Sequence, residues 1–462
     1  MFDYKDLNLK IGLEIHQQLS DKKLFCNCST KFEEKELDIE FKRKLRASSG
    51  ETGKVDVAAK FEESKNKDFI YHGYKGEYCL VDCDEQPPYQ VNQDALVTAL
   101  SLAKLFRLNI PKEIYVMRKI ITDGSACSAF QRTMLVGYES EDSFIETSFG
   151  KVKIASLCLE EDACKIEKNE ENKTYYSLSR QGIPLIEIMT KPDIKTPDGA
   201  KETAEKLGMI LRSFSDILRG IGTIRQDVNL SILDGSRVEI KGFQDLRTMP
   251  KIIDYEIQRQ FSLVEKDKKV EEEVRKANEN GTTSFLRPLP GSARMYPDTD
   301  IPTIEVSKEL LENVKIPELI EDKINKLKER YGLSNELASE MIHSKIDFND
   351  YSKKYNEISS GLLASILVSN FNNKRLDYVL DLLDKGKITK DVVNEIFVKL
   401  SKNEKINLED YKSVSLNEIE KEIKELKSKN KELSVNALMG MLMSKYKGKI
   451  DGKKLIELIN KK

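Results

Sequence analysis

The sequence predicts an α+β fold, with a β-rich domain followed by an all-helical domain and a small helical tail domain. Residues 1–303 mix period-2 strand patterns with glycine turns and a few helices. Residues 304–405 follow helical apolar spacing with few prolines, and residues 406–462 are lysine-rich and amphipathic. A chain of 462 residues exceeds one ordinary hydrophobic core, which favours several domains.

An alternating pattern near the start of the chain predicts a half-buried strand. Its apolar members are Leu9, Ile11, Leu13 and Ile15. Glu14 and His16 fall on the opposite face, two residues and so roughly 7 Å apart. The polar face of this strand therefore carries two groups that can bind a cation.

Two helices and a hairpin are predicted further along the chain. Residues 94–108 have helical apolar spacing, and a second helix is predicted from Thr196, as the N-cap, to a C-cap near Gly220. The hairpin turns at residues 234–236. A three-residue loop is expected to pair Leu230 with Ile240, because that register keeps apolar residues opposite one another.

Carboxylates recur at the polar positions of these elements. Asp227 and Glu239 lie on the polar face of the hairpin, residues 160–162 read Glu-Glu-Asp after an alternating strand, and Glu187 ends an apolar run. A carboxylate that closes an apolar strand is costly unless it is paired or binds a cation. Convergence with Glu14 and His16 would suit Mg²⁺ and phosphate oxygens, whereas ordinary ion pairs remain the alternative.

Composition excludes several classes of protein. Charged residues make up 33% of the chain and no stretch reaches the 18 apolar residues of a membrane helix, so a cytoplasmic protein with no membrane contact is expected. The net charge is −2, so contact with nucleic acid must come from local patches. Neither a GxxxxGK[ST] loop nor a GxGxxG fingerprint is present, which argues against the common nucleotide-binding folds.

Two close cysteine pairs form a candidate structural zinc site. Cys26 and Cys28 are separated by one residue, and Cys79 and Cys83 by three. Four thiolates hold Zn²⁺ tetrahedrally, but this spacing differs from that of common zinc knuckles. Reduced, buried thiols are the other interpretation.

The tail domain ends in a basic segment. Helical spacing over residues 435–442 is followed by Lys445, Lys447, Lys449 and Lys453 in a run with few acidic residues. These lysines are candidates for contact with a nucleic-acid backbone, and a solvated helix end is the alternative.

Six segments, in this order, resemble the B/E subunit family of tRNA-dependent amidotransferases: KIGLEIHQQL, FCNCST, LEEDA, SRQGIPLIEI, RQDVNLSI and VEIKGFQDLRTMP. The resemblance covers nearly the whole chain. The segments VMRKIITDGSACSAFQRT and RPLPGSARMYPDTDIP, with the GFQDL form, are similar to the archaeal E branch rather than the bacterial and organellar B branch.

The resemblance implies a β-rich cradle that carries an ATP-dependent carbon–nitrogen ligase site, followed by a helical domain and by a small tail domain, residues 406–462, that binds tRNA. ATP would phosphorylate the γ-carboxylate of glutamate on tRNA(Gln). Ammonia from an asparaginase-like glutaminase, the D subunit, would displace the phosphate. The two kinds of subunit are expected to assemble as a heterotetramer. The implied Mg²⁺ ligands are Glu14, His16, Glu161 and Glu187, with Asp227 as a further acidic member. The lysines of the tail would contact the tRNA.

The chain departs from this family at one place. E subunits carry an insertion that resembles a domain of aspartyl-tRNA synthetases, but here only about ten residues near Phe261–Val270 occupy its place. Two other functions remain as alternatives: a non-catalytic tRNA-binding module and a two-metal phosphohydrolase. Retention of the candidate ligands argues against the first, and the basic helical tail argues against the second.

Overall fold

The computed structural model describes residues 4–49, 53–243, 245–291, 295–402, 404–407, 411, 416–429, 434–446, 450 and 452–460. The described residues form two compact units, Met1–Pro317 and Glu318–Lys462. The first unit extends past the predicted boundary at residue 303, because Leu310 and Leu311 pack against its core. The first unit is built mainly of β-sheet and the second of helices, so the predicted α+β class is confirmed.

Strands of the first unit form three sheets among the described residues. The strands of the largest are β1 (Lys10–Gln18), β5 (Val116–Ile120), β6 (Phe130–Tyr138), β7 (Phe144–Thr147), β8 (Gly150–Glu161), β11 (Pro184–Thr190), β12 (Ile224–Ser231), β13 (Val238–Phe243), β14 (Glu273–Ala277), β15 (Thr283–Pro288) and β16 (Met295–Pro297). Their order in the sheet is β15-β14-β13-β12-β1-β11-β8-β6-β5-β16, with β7 paired to β8. The smaller sheets contain β2 (Leu37–Arg43), β3 (Asp68–Tyr74), β10 (Lys173–Ser177) and β9 (Lys165–Asn169), and β4 (Glu113–Ile114) with β17 (Ile304–Glu305).

Three helices cover one face of the large sheet, and the site lies on the other face. The helices of this unit are α1 (Val57–Ser64), α2 (Gln93–Leu105), α3 (Pro197–Leu211), α4 (Met249–Val264) and α5 (Lys308–Asn313). Leu96, Leu207 and Ile253, from three of these helices, share one hydrophobic core with Ile15 of β1. Because side chains alternate along a strand, Glu14 and His16 lie on the face away from that core.

The large sheet curves until residues near its two ends come into contact. Arg287 on β15 lies 3.8 Å from Asp123, which follows β5 near the opposite end of the strand order. Helix α1 reinforces this closure: its Phe61 ring packs edge-on against Phe285 of β15, and its Ala59 carbonyl accepts a hydrogen bond from Thr122. The curved sheet therefore encloses a cavity on its polar face.

Two local predictions are corrected by the structure. In the hairpin, Leu230 pairs with Val238 and not with Ile240, because Ile232 leaves the strand and is buried in the core. The shift is two residues, so each side chain keeps its predicted face. Helix α3 begins at its Thr196 cap as predicted, but it ends at Leu211, well before Gly220.

The second unit is helical throughout its described residues. Its helices are α6 (Ile320–Tyr331), α7 (Asn335–His343), α8 (Phe348–Lys354), α9 (Ser360–Asn370), α10 (Leu376–Asp384), α11 (Val393–Ser401), α12 (Leu416–Lys429), α13 (Val435–Tyr446) and α14 (Gly452–Asn460). The last three share a hydrophobic cluster that includes Ile419, Leu442 and Leu455. In the described part of the chain, no helix is both long enough and apolar enough to cross a bilayer.

Candidate active site

The cavity enclosed by the curved sheet has a volume of about 890 Å³ and is lined by most of the acidic residues that the sequence analysis selected. Glu14, His16, Glu187, Asp227 and Glu239 all face it. They come from four strands that are adjacent in the sheet, β13, β12, β1 and β11. The predicted convergence of these segments therefore occurs.

Cross-strand register explains why these side chains meet. His16 lies opposite Glu187 on β11, and Glu14 lies opposite Asp227 on β12. Residues opposite one another in antiparallel strands have their side chains on the same face. The His16 imidazole Nε2 lies 3.2 Å from a Glu14 carboxylate oxygen and 3.3 Å from a Glu187 carboxylate oxygen. One histidine thus bridges two carboxylates at the centre of the cluster.

Glu160 joins this cluster, and Glu161, which the sequence analysis selected, does not. On β8, Cys158 pairs with Glu187, so Glu160, two residues further, shares the cavity face. Ligand atoms of His16, Glu160 and Glu187 lie within 4.8 Å of one another. The carboxylate of Glu161 instead accepts the Arg132 backbone N–H at 3.0 Å and lies 3.5 Å from the Arg132 guanidinium, on the other face of the sheet.

Two lysines that the sequence analysis did not select balance the acidic cluster. Lys119 Nζ lies 2.7 Å from a Glu160 oxygen, and Lys241 Nζ lies 2.6 Å from Asp227 and 2.5 Å from Glu239. Both lysines occupy strand positions whose side chains face the cavity. The alternation of β13 was an available signal for Lys241, which has the parity of Glu239. No such signal marked Lys119, because β5 reads Val-Met-Arg-Lys-Ile and does not alternate.

The charges of the cluster hold it in a defined protonation state. Burial by itself lowers the pKa of His16, but hydrogen bonds to Glu14 and Glu187 outweigh it and raise the pKa to about 10. Burial raises the pKa of Glu14, yet the contacts with His16 and the charges of nearby lysines lower it overall. Burial and the neighbouring Glu187 charge raise the pKa of Glu160. The imidazolium therefore carries the positive charge between its two carboxylate partners.

The donor set fits a divalent cation such as Mg²⁺. Carboxylate oxygens are hard ligands, and Glu14, His16 and Asp227 form a second group whose ligand atoms lie within 4.8 Å of one another. The two groups share His16. A cation bound there would compete with the His16 proton for the same carboxylates. The cavity beside these groups has a volume sufficient for phosphate oxygens.

The cysteine site is assembled differently from the prediction. Sulfur atoms of Cys26, Cys28 and Cys79 lie within 4.8 Å of one another and of an Asp82 carboxylate oxygen, while Cys83 is absent from this group. Cys83 is instead buried in a cluster of aromatic side chains that also contains Cys127, Cys164 and Leu178. Residues 79–85 form turns in which neighbouring side chains diverge, and this brings Asp82 to the position expected of Cys83.

Three thiols and one carboxylate are a donor set that Zn²⁺ accepts. Asp82 also lies 3.1 Å from Lys23, a lysine with no exposed side-chain area, and accepts the Cys79 backbone N–H at 3.0 Å. Hydrogen bonds from Cys26 and Cys28 lower the pKa of Cys79. The geometry is compatible with zinc and with reduced thiols alike, so both interpretations stay open.

The basic residues of the tail are described only in part. Lys445 lies on α13, is largely exposed and pairs with Glu422 at 2.7 Å. Lys453 lies in α14, but its side chain is outside the described part of the chain, as are Lys447 and Lys449. Their contact with tRNA stays a prediction.

Comparison with known proteins places the chain in a family. The family described as the GatB/GatE catalytic domain matches residues 9–312, and one described as the GatB domain matches residues 332–462. Curated relatives named as the E subunit of glutamyl-tRNA(Gln) amidotransferase include those of Methanococcus maripaludis and Archaeoglobus fulgidus, each 34% identical over 100% of this chain and 99% of the relative. The relative of the same name from Saccharolobus solfataricus is 34% identical over 99% of this chain and 98% of the relative.

The alignments also test the predicted loss of an insertion. The alignment with the Methanococcus maripaludis protein spans 626 positions, whereas this chain has 462 residues, so the relative carries a long stretch without a counterpart here. In this structure, α4 ends at Val264 and a short connection leads to β14 at Glu273. The resemblance to E subunits without the usual insertion is confirmed, and the chain belongs to the GatB/GatE family of amidotransferase subunits.

Proposed function

We propose that this chain is the ATP-dependent synthetase subunit that converts glutamate on tRNA(Gln) into glutamine. One observation carries the proposal: His16 bridges the carboxylates of Glu14 and Glu187 in the wall of a large cavity, in a chain aligned along its length with subunits named for this substrate. A phosphoryl-transfer site needs carboxylates that hold a divalent cation, because the cation neutralises negative charge on the phosphate oxygens during transfer.

Mg²⁺ would be held by the carboxylates of Glu14, Glu160, Glu187 and Asp227, and by the His16 imidazole once the ion has displaced its proton. When bound, the ion would neutralise charge on the phosphate oxygens of ATP during transfer to the γ-carboxylate. Two further cationic side chains belong to the protein. Lys119 lies 2.7 Å from Glu160; burial lowers the pKa of Lys241, but the charges of Asp227 and Glu239 outweigh it and raise that pKa. They would keep the carboxylates oriented while the substrates enter.

The chemistry also requires an enclosed site. A carboxylate is a poor acyl donor, and phosphorylation converts one of its oxygens into part of a leaving group. Ammonia then attacks the carbonyl carbon and phosphate departs, which leaves the amide. Water would hydrolyse the acyl phosphate, so exclusion of water by the cavity walls protects the intermediate. The closure of the sheet between β15 and the end of β5 would serve this purpose.

A partner would supply the ammonia. The relatives are named as subunits, which supports assembly with a second chain. We propose an asparaginase-like glutaminase, the D subunit, as that partner, in a heterotetramer. The cluster described above contains carboxylates, lysines and one histidine, a composition suited to phosphoryl transfer rather than to hydrolysis of glutamine.

An amidation assay tests the proposal. The purified chain should form Gln-tRNA(Gln) from Glu-tRNA(Gln) with ATP, Mg²⁺ and ammonium, but should make little product from glutamine unless its partner is added. Formation of ADP should equal formation of amide. Release of phosphate from ATP or phosphoesters with no dependence on tRNA would indicate a phosphohydrolase, and tRNA binding without amidation would indicate a binding module.

A further inference from the structure

One arginine in the cavity wall lacks the partners that a buried guanidinium needs. The Arg287 side chain is 21% exposed and lines the same cavity as the acidic cluster. Its buried Nε has no hydrogen-bond acceptor among the described residues. Its contact with Asp123, at 3.8 Å, is an ion pair too long to be a hydrogen bond. A guanidinium has five N–H donors, and burial of the Nε–H without an acceptor is costly.

Other arginines at this cavity are satisfied by the protein. Arg180 donates hydrogen bonds to the carbonyl oxygens of Ala163 and Cys164. Arg225 donates to the carboxylate of Asp162 at 2.8 Å. These two side chains therefore maintain the wall. Arg287 differs from them because its side chain makes no hydrogen bond within the described part of the chain, although it lines a cavity of about 890 Å³.

Arg287 lies on the same face of the sheet as the acidic cluster. Opposite residues across neighbouring strands form one row, from Asn229 through Glu239 and Val274 to Arg287. Glu239 and Arg287 are two strand spacings apart along this row, or about 10 Å between their Cα atoms. A ligand that extends from the acidic cluster across the cavity would reach the guanidinium.

We propose that Arg287 binds a phosphate oxyanion of a substrate in this cavity. A guanidinium donates two parallel hydrogen bonds to a phosphate, which satisfies donors that the protein leaves without acceptors. The choice of phosphate over other anions rests on the proposed function, since both ATP and the acceptor end of tRNA carry phosphates. The two sources share this chemistry, and binding measurements separate them.

A purely structural role makes a different prediction. Arg287 could instead only join the two ends of the sheet through Asp123. In that case Asp123→Asn and Arg287→Ala would lower the stability of the fold, and with it the affinity for ligand, to the same extent. If Arg287 binds a phosphate, the Asp123 carboxylate competes with that phosphate for the guanidinium. Asp123→Asn should then leave phosphate binding unchanged or tighter, whereas Arg287→Ala should weaken it.

The experiment measures binding by the full-length chain, without turnover. ATP is measured by equilibrium dialysis with Mg²⁺ and no tRNA, and uncharged tRNA(Gln) is measured by filter binding across a salt series. Arg287→Ala should raise the Kd of one probe by at least about tenfold, the loss expected for a charged hydrogen bond. Arg247→Ala, which removes an exposed arginine paired with Asp245, is the matched control and should change neither.

The outcomes identify the source of the phosphate or overturn the proposal. A weaker affinity for ATP alone assigns the site to the nucleotide. A weaker affinity for tRNA alone, with a salt slope lower by about one, assigns it to the acceptor end. The proposal is overturned if Arg287→Ala leaves the affinity for both probes unchanged. It is also overturned if Arg287→Ala and Asp123→Asn lose affinity equally.

A second variant covers the case in which Arg287→Ala does not fold. Arg287→Lys keeps the charge but loses the paired donors, so it should weaken binding several-fold with an unchanged melting temperature. Unchanged binding by that variant would overturn the proposal. These readouts do not depend on amidation, so an inactive wild-type chain would contradict the proposed function without deciding the role of Arg287.

Discussion

Substitution of two adjacent glutamates, Glu160 and Glu161, distinguishes between two ligand sets: the one found in the structure and the one that the resemblance implies. Glu160 faces the cavity and contacts Lys119, whereas Glu161 faces Arg132 on the other side of the sheet. The two residues have the same chemistry and neighbouring positions. Glu160→Gln and Glu161→Gln are therefore matched variants, each the control for the other.

The expected effect of Glu160→Gln is large and catalytic. The substitution keeps the shape of the side chain but removes one charge from the group formed with His16 and Glu187. Loss of one preorganised electrostatic contact at a reacting centre commonly lowers kcat by about 10²–10³-fold, or roughly 3–4 kcal/mol. The variant should also need more Mg²⁺ for half-maximal rate, because one ligand charge is missing.

The expected effect of Glu161→Gln is small. Its carboxylate points away from the cavity, and an amide oxygen can still accept the Arg132 N–H. Burial raises the pKa of both carboxyl groups despite their cationic partners, so neither charge strongly stabilises the fold. Each variant should lose no more than about 1–2 kcal/mol of unfolding free energy. Glu161→Gln should keep kcat within about tenfold of the wild type.

Single-turnover amidation with ammonium, run across a Mg²⁺ series, measures both variants, and thermal melting shows whether they are folded. Glu187→Gln provides a reference for loss of a residue that lies in the same group as His16. Near-normal activity of Glu160→Gln together with a loss of about 100-fold in Glu161→Gln would refute the assignment from strand parity. It would favour the ligand set that the family resemblance implies.

Two further predictions concern the cysteine group and the tail. If zinc is bound, elemental analysis should find about one zinc per chain in the wild type and in Cys83→Ser, but not in Cys79→Ser; absence of zinc from the wild type would leave reduced thiols. Truncation after Asn407 should raise KM for Glu-tRNA(Gln) far more than it lowers kcat, because the tail would supply binding shared by ground and transition states. Charge reversal of residues 445, 447 and 449 to Glu should reproduce most of that change and flatten the salt dependence of tRNA binding. If the affinity for tRNA and the slope of its salt dependence stay unchanged, the tRNA is held elsewhere.

The alternation of side chains between the two faces of a strand was the sequence signal that best located the site residues. The alternation of Leu13 and Ile15 with Glu14 and His16 correctly separated core from cavity on β1. The same rule applied to β8 would have selected Glu160, because Glu161 has the parity of the buried Leu159. The family resemblance directed attention to Glu161 where the local pattern already pointed to its neighbour.

Errors in the local predictions have a common physical origin. The hairpin turn and the end of α3 depend on where Ile232 and Leu211 find space in the core, and tertiary packing overrides turn and helix preferences at such positions. The cysteine group is similar. The spacing of Cys79 and Cys83 allowed one ligand set, but the path of the turn brought Asp82 to the group instead.

By itself the sequence determined the fold class, the faces of the main strands, the family and most members of the acidic cluster, because periodicity and motif order are local properties. Only the tertiary structure decided which strands are neighbours, and hence that His16 bridges Glu14 and Glu187. It alone revealed that the sheet closes on itself between Arg287 and Asp123. Strand order and sheet curvature depend on packing between residues far apart in the chain, and the spacing of residues along one sequence does not encode those distances.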